Sequence, residues 1–141
     1  MTVVEGEALL KKALHDFELN LDKAIDDAVL STAIDVENDV VKSLNTQSKG
    51  KAYRKSNNVV HIASREGDAP NTDEGRLVGS ITHVHSKGSK IAHVGTNVDY
   101  GAVLETEKNR PFLEPAKERQ VKNFSKRMEQ AVQSQVKKAG K

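Results

Sequence analysis

The 141 residues are 36% hydrophobic, 4% aromatic and 30% charged, with no Trp and no Cys. A one-domain length with so few large apolar side chains argues against a self-sufficient globule, and a net charge of only +2 argues against wholesale disorder. The absence of cysteine excludes a disulfide framework, thiolate catalysis and Cys-ligated zinc.

The opening "MTVVEGEALLKK" lacks the basic start and continuous apolar run of a signal peptide. No stretch approaches the ~20 apolar residues that span a bilayer, so a soluble, reducing setting is expected. The small net charge hides an asymmetry. Residues 5–45 hold ten acids against four lysines, a net of −6, and the remainder holds eighteen bases against ten acids, a net of +8. Residues 117–141 alone hold eight bases against two acids, a net of +6.

From residue 5 to 45 the only glycine is Gly6 and there is no proline. Leu10, Leu14, Phe17, Leu21, Ile25, Ala28, Ala33, Val36, Val40 and Leu44 recur at steps of mostly three and four, which predicts one long amphipathic helix. Forty residues make a rod of roughly 60 Å, longer than a domain of this size is wide. A kink near Ser31–Thr32 or Asp35–Val36 is an open alternative to a straight rod. "NTQSKGKAYRKSNN" (45–58) is a basic loop in which Gly50 is expected to stop the helix.

Residues 59–107 read as a small antiparallel sheet with loops. "VVHIA" (59–63) is a short strand, "SREGDAPNTDEG" (64–75) is turn chemistry, "RLVGSITHVH" runs into a strand and "IAHVGTN" returns. A tight turn at Lys87–Gly88 would pair Val84 with Ile91 and Ile81 with Val94. His83 and His85 then share one face and His93 lies on the other, so the three do not converge on a metal. Glu105 and Glu107 could form a carboxylate pair on a strand, but nothing apolar nearby would raise a pKa. "RPFLEPAKERQ" opens a last helix over 113–138, with Pro115 in its first turn and a stripe at Leu113, Lys117, Val121, Phe124, Met128, Ala131/Val132 and Val136. The expected architecture is α+β in one domain spanning 1–141: long helix, small antiparallel sheet, C-terminal helix. No nucleophile elbow, phosphate-binding loop or HExxH motif appears. No catalytic, metal-binding or cofactor-binding residue is therefore assigned, and no cofactor is expected.

Two stretches carry a resemblance. "APNTDEGRLVGSI" (69–81) resembles a "P…DTGRL…SI" signature, and "VGTNVDYGAVLETEKNRPFLEPA" (94–116) is similar to "VGTNVEYAPYLEFGT…RPFLRPA". Both belong to the neck, or tail-completion, proteins of tailed bacteriophages, the gene-product-ten-like group of lambdoid phages and prophages. With the flanking helices the resemblance covers most of the chain.

The resemblance implies a structural virion subunit without catalytic residues, made in the host cytoplasm and placed at the head–tail joint. It implies a homo-oligomeric ring, six-fold to match the tail tube rather than twelve-fold like the portal. The head connector or stopper and the tail terminator or tail tube would be neighbours, and genomic DNA would pass through without sequence-specific binding and without a membrane partner. Asp73 is expected to accept backbone N–H bonds, Gly75 to permit a tight turn, and Arg76 and Leu77 to begin the strand. Gly95 and Asn97 should shape a turn. Tyr100 and Leu104 read as apolar anchors. Arg110, Pro111, Phe112 and Leu113 should hook the chain into the last helix, with Phe112 as a plug and Arg110 as partner of Glu105.

Two departures stand out: Glu74 replaces the signature Thr, and "TEKN" replaces an aromatic-Gly-Thr loop. In a ring, the sheet and last helix are expected to build the wall. The long helix would supply either a docking surface or a channel lining in which Asp22, Asp26, Asp27 and Asp35 repel DNA. The competing expectation is a nucleic-acid-binding protein that uses the basic C-terminal helix and the 49–55 loop with salt-sensitive affinity. The scarcity of aromatics and of recognised reading motifs weighs against it.

Overall fold

The 3.6-residue periodicity of the first forty residues yields one unbroken helix, α1 (Val3–Asn45), in a computed structural model that describes residues 2–73 and 75–140. Thr2 and Glu5 form a reciprocal capping box, with Thr2 Oγ1 accepting from the Glu5 N–H at 3.1 Å and Glu5 Oε2 from the Thr2 N–H at 2.7 Å. No break occurs at Ser31–Thr32. Thr32 turns its hydroxyl back to the Ala28 carbonyl at 2.8 Å without interrupting the helix.

The chain continues through β1 (Ala52–Arg54), β2 (Val60–Ile62), α2 (Arg76–Ser80), β3 (Thr82–His85), β4 (Ala92–Gly95), α3 (Asp99–Thr106) and α4 (Glu114–Ala139). The architecture is α+β, but the strands form two separate antiparallel pairs, β1–β2 and β3–β4, rather than one sheet. Arg76 and Leu77 begin a helix and not a strand. Gly75 adopts φ +77° at its start, a conformation that relieves the turn but cannot continue a strand. Glu105 likewise lies on a helix, α3, and Glu107 is its C-cap.

Gly50 does not end α1, which already stops at Asn45 with the Thr46 N–H bonded to the Ser43 carbonyl. Its role is close approach: a Cβ there would lie 2.1 Å from the Ala63 carbonyl oxygen. Asn71 holds the same region, accepting from the Ser48 N–H and donating to the Ser48 and Ile62 carbonyls, each at 2.7 Å.

The core lies where α1, α2, α3 and α4 meet. Val40, Leu44, Ile81, Phe112 and Ala116 are buried together, with Leu77, Val94, Leu104 and Leu113 packed around them. Helix α4 runs antiparallel to α1, because Arg119 meets Asp39 and Ser43 whereas Arg127 meets Thr32 and Asp35. The face it buries keeps Leu113, Phe124, Met128 and Ala131 of the expected stripe part-buried but is rotated away from its valines. Ala116 and Gln135 are buried, while Val121, Val132 and Val136 are exposed. Acids on α1 cause the rotation by drawing Arg119, Gln120 and Arg127 onto the seam.

The β3–β4 pair is fixed to α1 chiefly by one buried carboxylate. Asp26, only 5% exposed, accepts from the backbone N–H groups of Gly88 and Lys90, each at 2.8 Å, and meets His85 Nε2 at 2.8 Å. Gathering those donors needs a longer turn, with Gly88 at φ +83° and Lys90 at φ +58°. The register is accordingly two residues from the expected one: Val84 pairs with His93 and His83 with Val94. A shift of two preserves the faces, so His93 remains opposite to His83 and His85.

Two outcomes follow. Gly50→Ala should cost about 1–3 kcal/mol, because the Ala63 backbone must move; the measure is a lower urea midpoint at unchanged slope. Asp26 is held down from 3.8 to about 2, chiefly by the Gly88 N–H and then by His85. A depressed carboxylate pKa adds stability in full above the unfolded value, and that stability is lost as pH falls through the folded value. Melting temperature should therefore drop between about pH 4 and pH 2, and Asp26→Asn should be less stable at neutral pH with a shallower acid decline.

Candidate functional site

The two motif stretches, far apart in their local structure, converge on one cleft of about 450 Å³. Gly75, Arg76 and Leu77 enter from α2, Tyr100 and Leu104 from α3, and Arg110 from the loop before α4, while Tyr53 and His61 of β1–β2 close the far side. Tyr53 and His61 meet edge to face, with centroids 5.3 Å apart, and the Arg76 guanidinium lies 5.9 Å from the Tyr100 ring centroid.

Asp73 on the cleft wall pairs with the Lys55 ammonium and lies 3.6 Å from His61 Nδ1. The Lys55 hydrogen bond, before the charge of His61, holds its carboxyl below the usual range. The carboxylate thus ties the turn to the β1–β2 pair through side chains. Glu74, the departure from the signature, lies outside the described residues.

Tyr100 is not an anchor in the core: it is 41% exposed and supports Arg76, whereas Leu104 packs against the core as expected of an anchor. Gly95 ends β4, and the exposed Asn97 lies in the following connection. Gly101, which sequence reasoning passed over, is buried in α3 with the Thr96 methyl only 2.7 Å from where a Cβ would stand. Its place between two apolar residues was the available signal.

The expected Arg110–Glu105 pair is replaced by two separate jobs. Arg110 Nη1 donates to the Lys108 carbonyl at 2.9 Å, and its backbone N–H donates to the Leu104 carbonyl at 2.9 Å. The Glu105 carboxylate instead accepts from the N–H groups of Phe112, Leu113 and Glu114 at 2.7, 3.1 and 2.9 Å. Three otherwise unmet donors and the positive end of a 26-residue helix outcompete one guanidinium. Pro111 is half-buried, Pro115 occupies the first turn of α4, and Phe112, 1% exposed, fills the centre of the core.

The four acids expected to line a channel do not act as a set. Asp26 is buried under the hairpin, Asp22 pairs with Lys90 at 3.1 Å, Asp35 pairs with Arg127, and Asp27 is exposed. They are distributed around α1, and Asp26 and Asp35 serve contacts within the subunit. The histidines behave similarly: His83 meets Glu37 and His85 meets Asp26, both on α1, and His93 faces outward.

The cleft is lined by the Arg76 and Arg110 side chains and by the Tyr53, His61 and Tyr100 rings. A larger surface feature lies elsewhere. Helix α1, at 43 residues, is about 64 Å long, and α4, at 26 residues, about 39 Å. With Ala116 beside Leu44, α4 runs out near residue 20 of α1. Leu9, Leu10, Leu14 and Leu19 beyond that point are 54–60% exposed. No protein-family model, curated protein or solved structure matches this chain.

Removing the carboxylate that caps α4 gives a direct test of this geometry. Glu105→Ala should destabilise the fold by about 1–2 kcal/mol in chemical denaturation. Glu105→Gln, which keeps an acceptor, should lose less.

Proposed function

We propose that this chain is a non-enzymatic structural subunit of the tailed-phage neck, a tail-completion protein that assembles with copies of itself into a ring joining head to tail. The observation that carries the reading is the uncovered apolar length of α1, whose leucines at 9, 10, 14 and 19 stand beyond the end of α4. A helix of about seventeen residues whose leucines stand largely exposed is marginal alone, and copies of the same chain can supply the missing burial. The meeting of Asp73, Gly75, Arg76 and Leu77 with Tyr100, Leu104 and Arg110 around one cleft adds support, since the resemblance rests on the stretches that hold them.

In this reading the hexameric ring sits between the connector or stopper and the tail terminator or tube, and the genome passes through its centre. The virion neck is its final location. Its work is mechanical: subunits present fixed surfaces to each other and to the rings above and below. No helix among the described residues is long and apolar enough to cross a membrane.

The nucleic-acid reading draws on the basic charge of α4, but part of that charge is spent inside the subunit. Arg119 binds Asp39 with contacts of 2.7–3.1 Å, and Arg127 binds Asp35. The Arg119 hydrogen bond also holds the Asp39 carboxyl below its ordinary range. Deleting the protein from a phage that encodes it should leave filled heads and finished tails that fail to join, as seen by electron microscopy of lysates. Normal yields of joined, infectious particles would overturn the reading.

A further inference from the structure

The bare end of α1 has a matching receptor on the same molecule that it cannot reach. Between α1, α4 and β4 lies an apolar groove of about 460 Å³, walled by Val29, Val36, Ile91, Val94, Leu113 and Phe124. Ile91 at its mouth is 58% exposed, and Lys90, Glu114 and Lys117 also line it, with Lys117 paired to Glu114 and Lys90 to Asp22. The exposed Val121, on α4 between Lys117 and Phe124, extends the apolar surface along that helix. Leu14 lies 22 residues from Val36 along one straight helix, about 33 Å away, so a chain cannot fill its own groove.

We propose that the N-terminal end of α1, residues 3–20, docks in this groove of a second copy, with Leu10 and Leu14 as anchors. The proposal rests on the reading of the chain as a self-assembling ring subunit and names the surfaces that join neighbours. Charge selects this occupant. Residues 3–20 hold Glu5, Glu7, Asp16 and Glu18 against Lys11 and Lys12. Residues 117–140 of α4 hold seven bases against two acids, and only Arg119 and Arg127 among those bases are committed to α1.

Pairing two α1 ends with each other would instead set like net charges together and leave both grooves open. Docking end into groove is heterologous: each copy gives one surface and receives on another. Such contacts close into a ring when the rotation between copies permits. An amphipathic helix seated by spaced apolar anchors in a groove is also a recurring physical solution for recognition.

The absence of native cysteine makes the test clean. Leu14→Cys and Ile91→Cys variants, both at exposed positions, are purified separately, mixed, and treated with a short bismaleimide. The expected result is a cross-linked dimer in the mixture and none from Leu14→Cys alone. In parallel, L10D/L14D should weaken self-association more than about ten-fold by sedimentation, with any loss of helicity confined to the uncovered end of α1. Cross-linking of Leu14→Cys to itself without the mixed product would overturn the proposal in favour of end-to-end pairing. Self-association untouched by L10D/L14D would overturn it while leaving a ring built through other faces. A wild-type chain that stays monomeric at high concentration and also joins no particles would remove both this proposal and the reading beneath it.

Discussion

Carboxylates along α1 hold the rest of the molecule in place. Asp26 gathers the β3–β4 turn, Glu37 meets His83 on the same pair of strands, and Asp35 and Asp39 receive Arg127 and Arg119 from α4. With a core whose fully buried large side chains are Phe112 and Val40, apolar packing alone leaves the relative placement of these elements loosely specified. Charged hydrogen bonds add direction where the hydrophobic effect has none. They set the strand register, rotate α4 about its own axis, and fix how far along α1 it reaches.

That arrangement determines what is left outside. Because α4 is seventeen residues shorter than α1, its alignment at Leu44 and Asp39 dictates that the opposite end of α1 emerges bare. Because Arg119 and Arg127 rather than valines face the seam, Val121, Val132 and Val136 are turned outward. The exposed apolar surface is thus a consequence of the polar seam. An interaction between copies has both its projecting and its receiving parts defined before any second copy arrives.

The two long helices were legible in the sequence because each sustains its period over many turns. The α+β order was legible too. Short elements were not: five residues at Arg76–Ser80 and eight at Asp99–Thr106 are too few to separate a helical period from alternation, and their apolar residues read equally well as strand. The register of β3–β4 was displaced because its turn answers to Asp26, some sixty residues earlier, and no local pattern records that. The α4 face was misplaced for the same reason, since Gln120 and Arg127 count as surface residues until their acidic partners on α1 are known. Among the candidate residues, Phe112 and Leu104 could be placed from hydrophobicity alone. Glu105 and Tyr100 could not, because their partners are a helix terminus and a guanidinium.

The seam between the two long helices joins residues 76 to 95 positions apart in the chain. A ribosome releases α1 well before it makes α4, so the Val36, Val40 and Leu44 end of the first helix must wait, uncovered, for the last segment to appear. The contacts that lock α4 and the β3–β4 pair to α1 are of this distant kind, and distant closures are slow. Throughout that interval the same apolar residues are open to other nascent chains, so the timing of synthesis, as much as final geometry, governs whether copies meet in the right order or tangle.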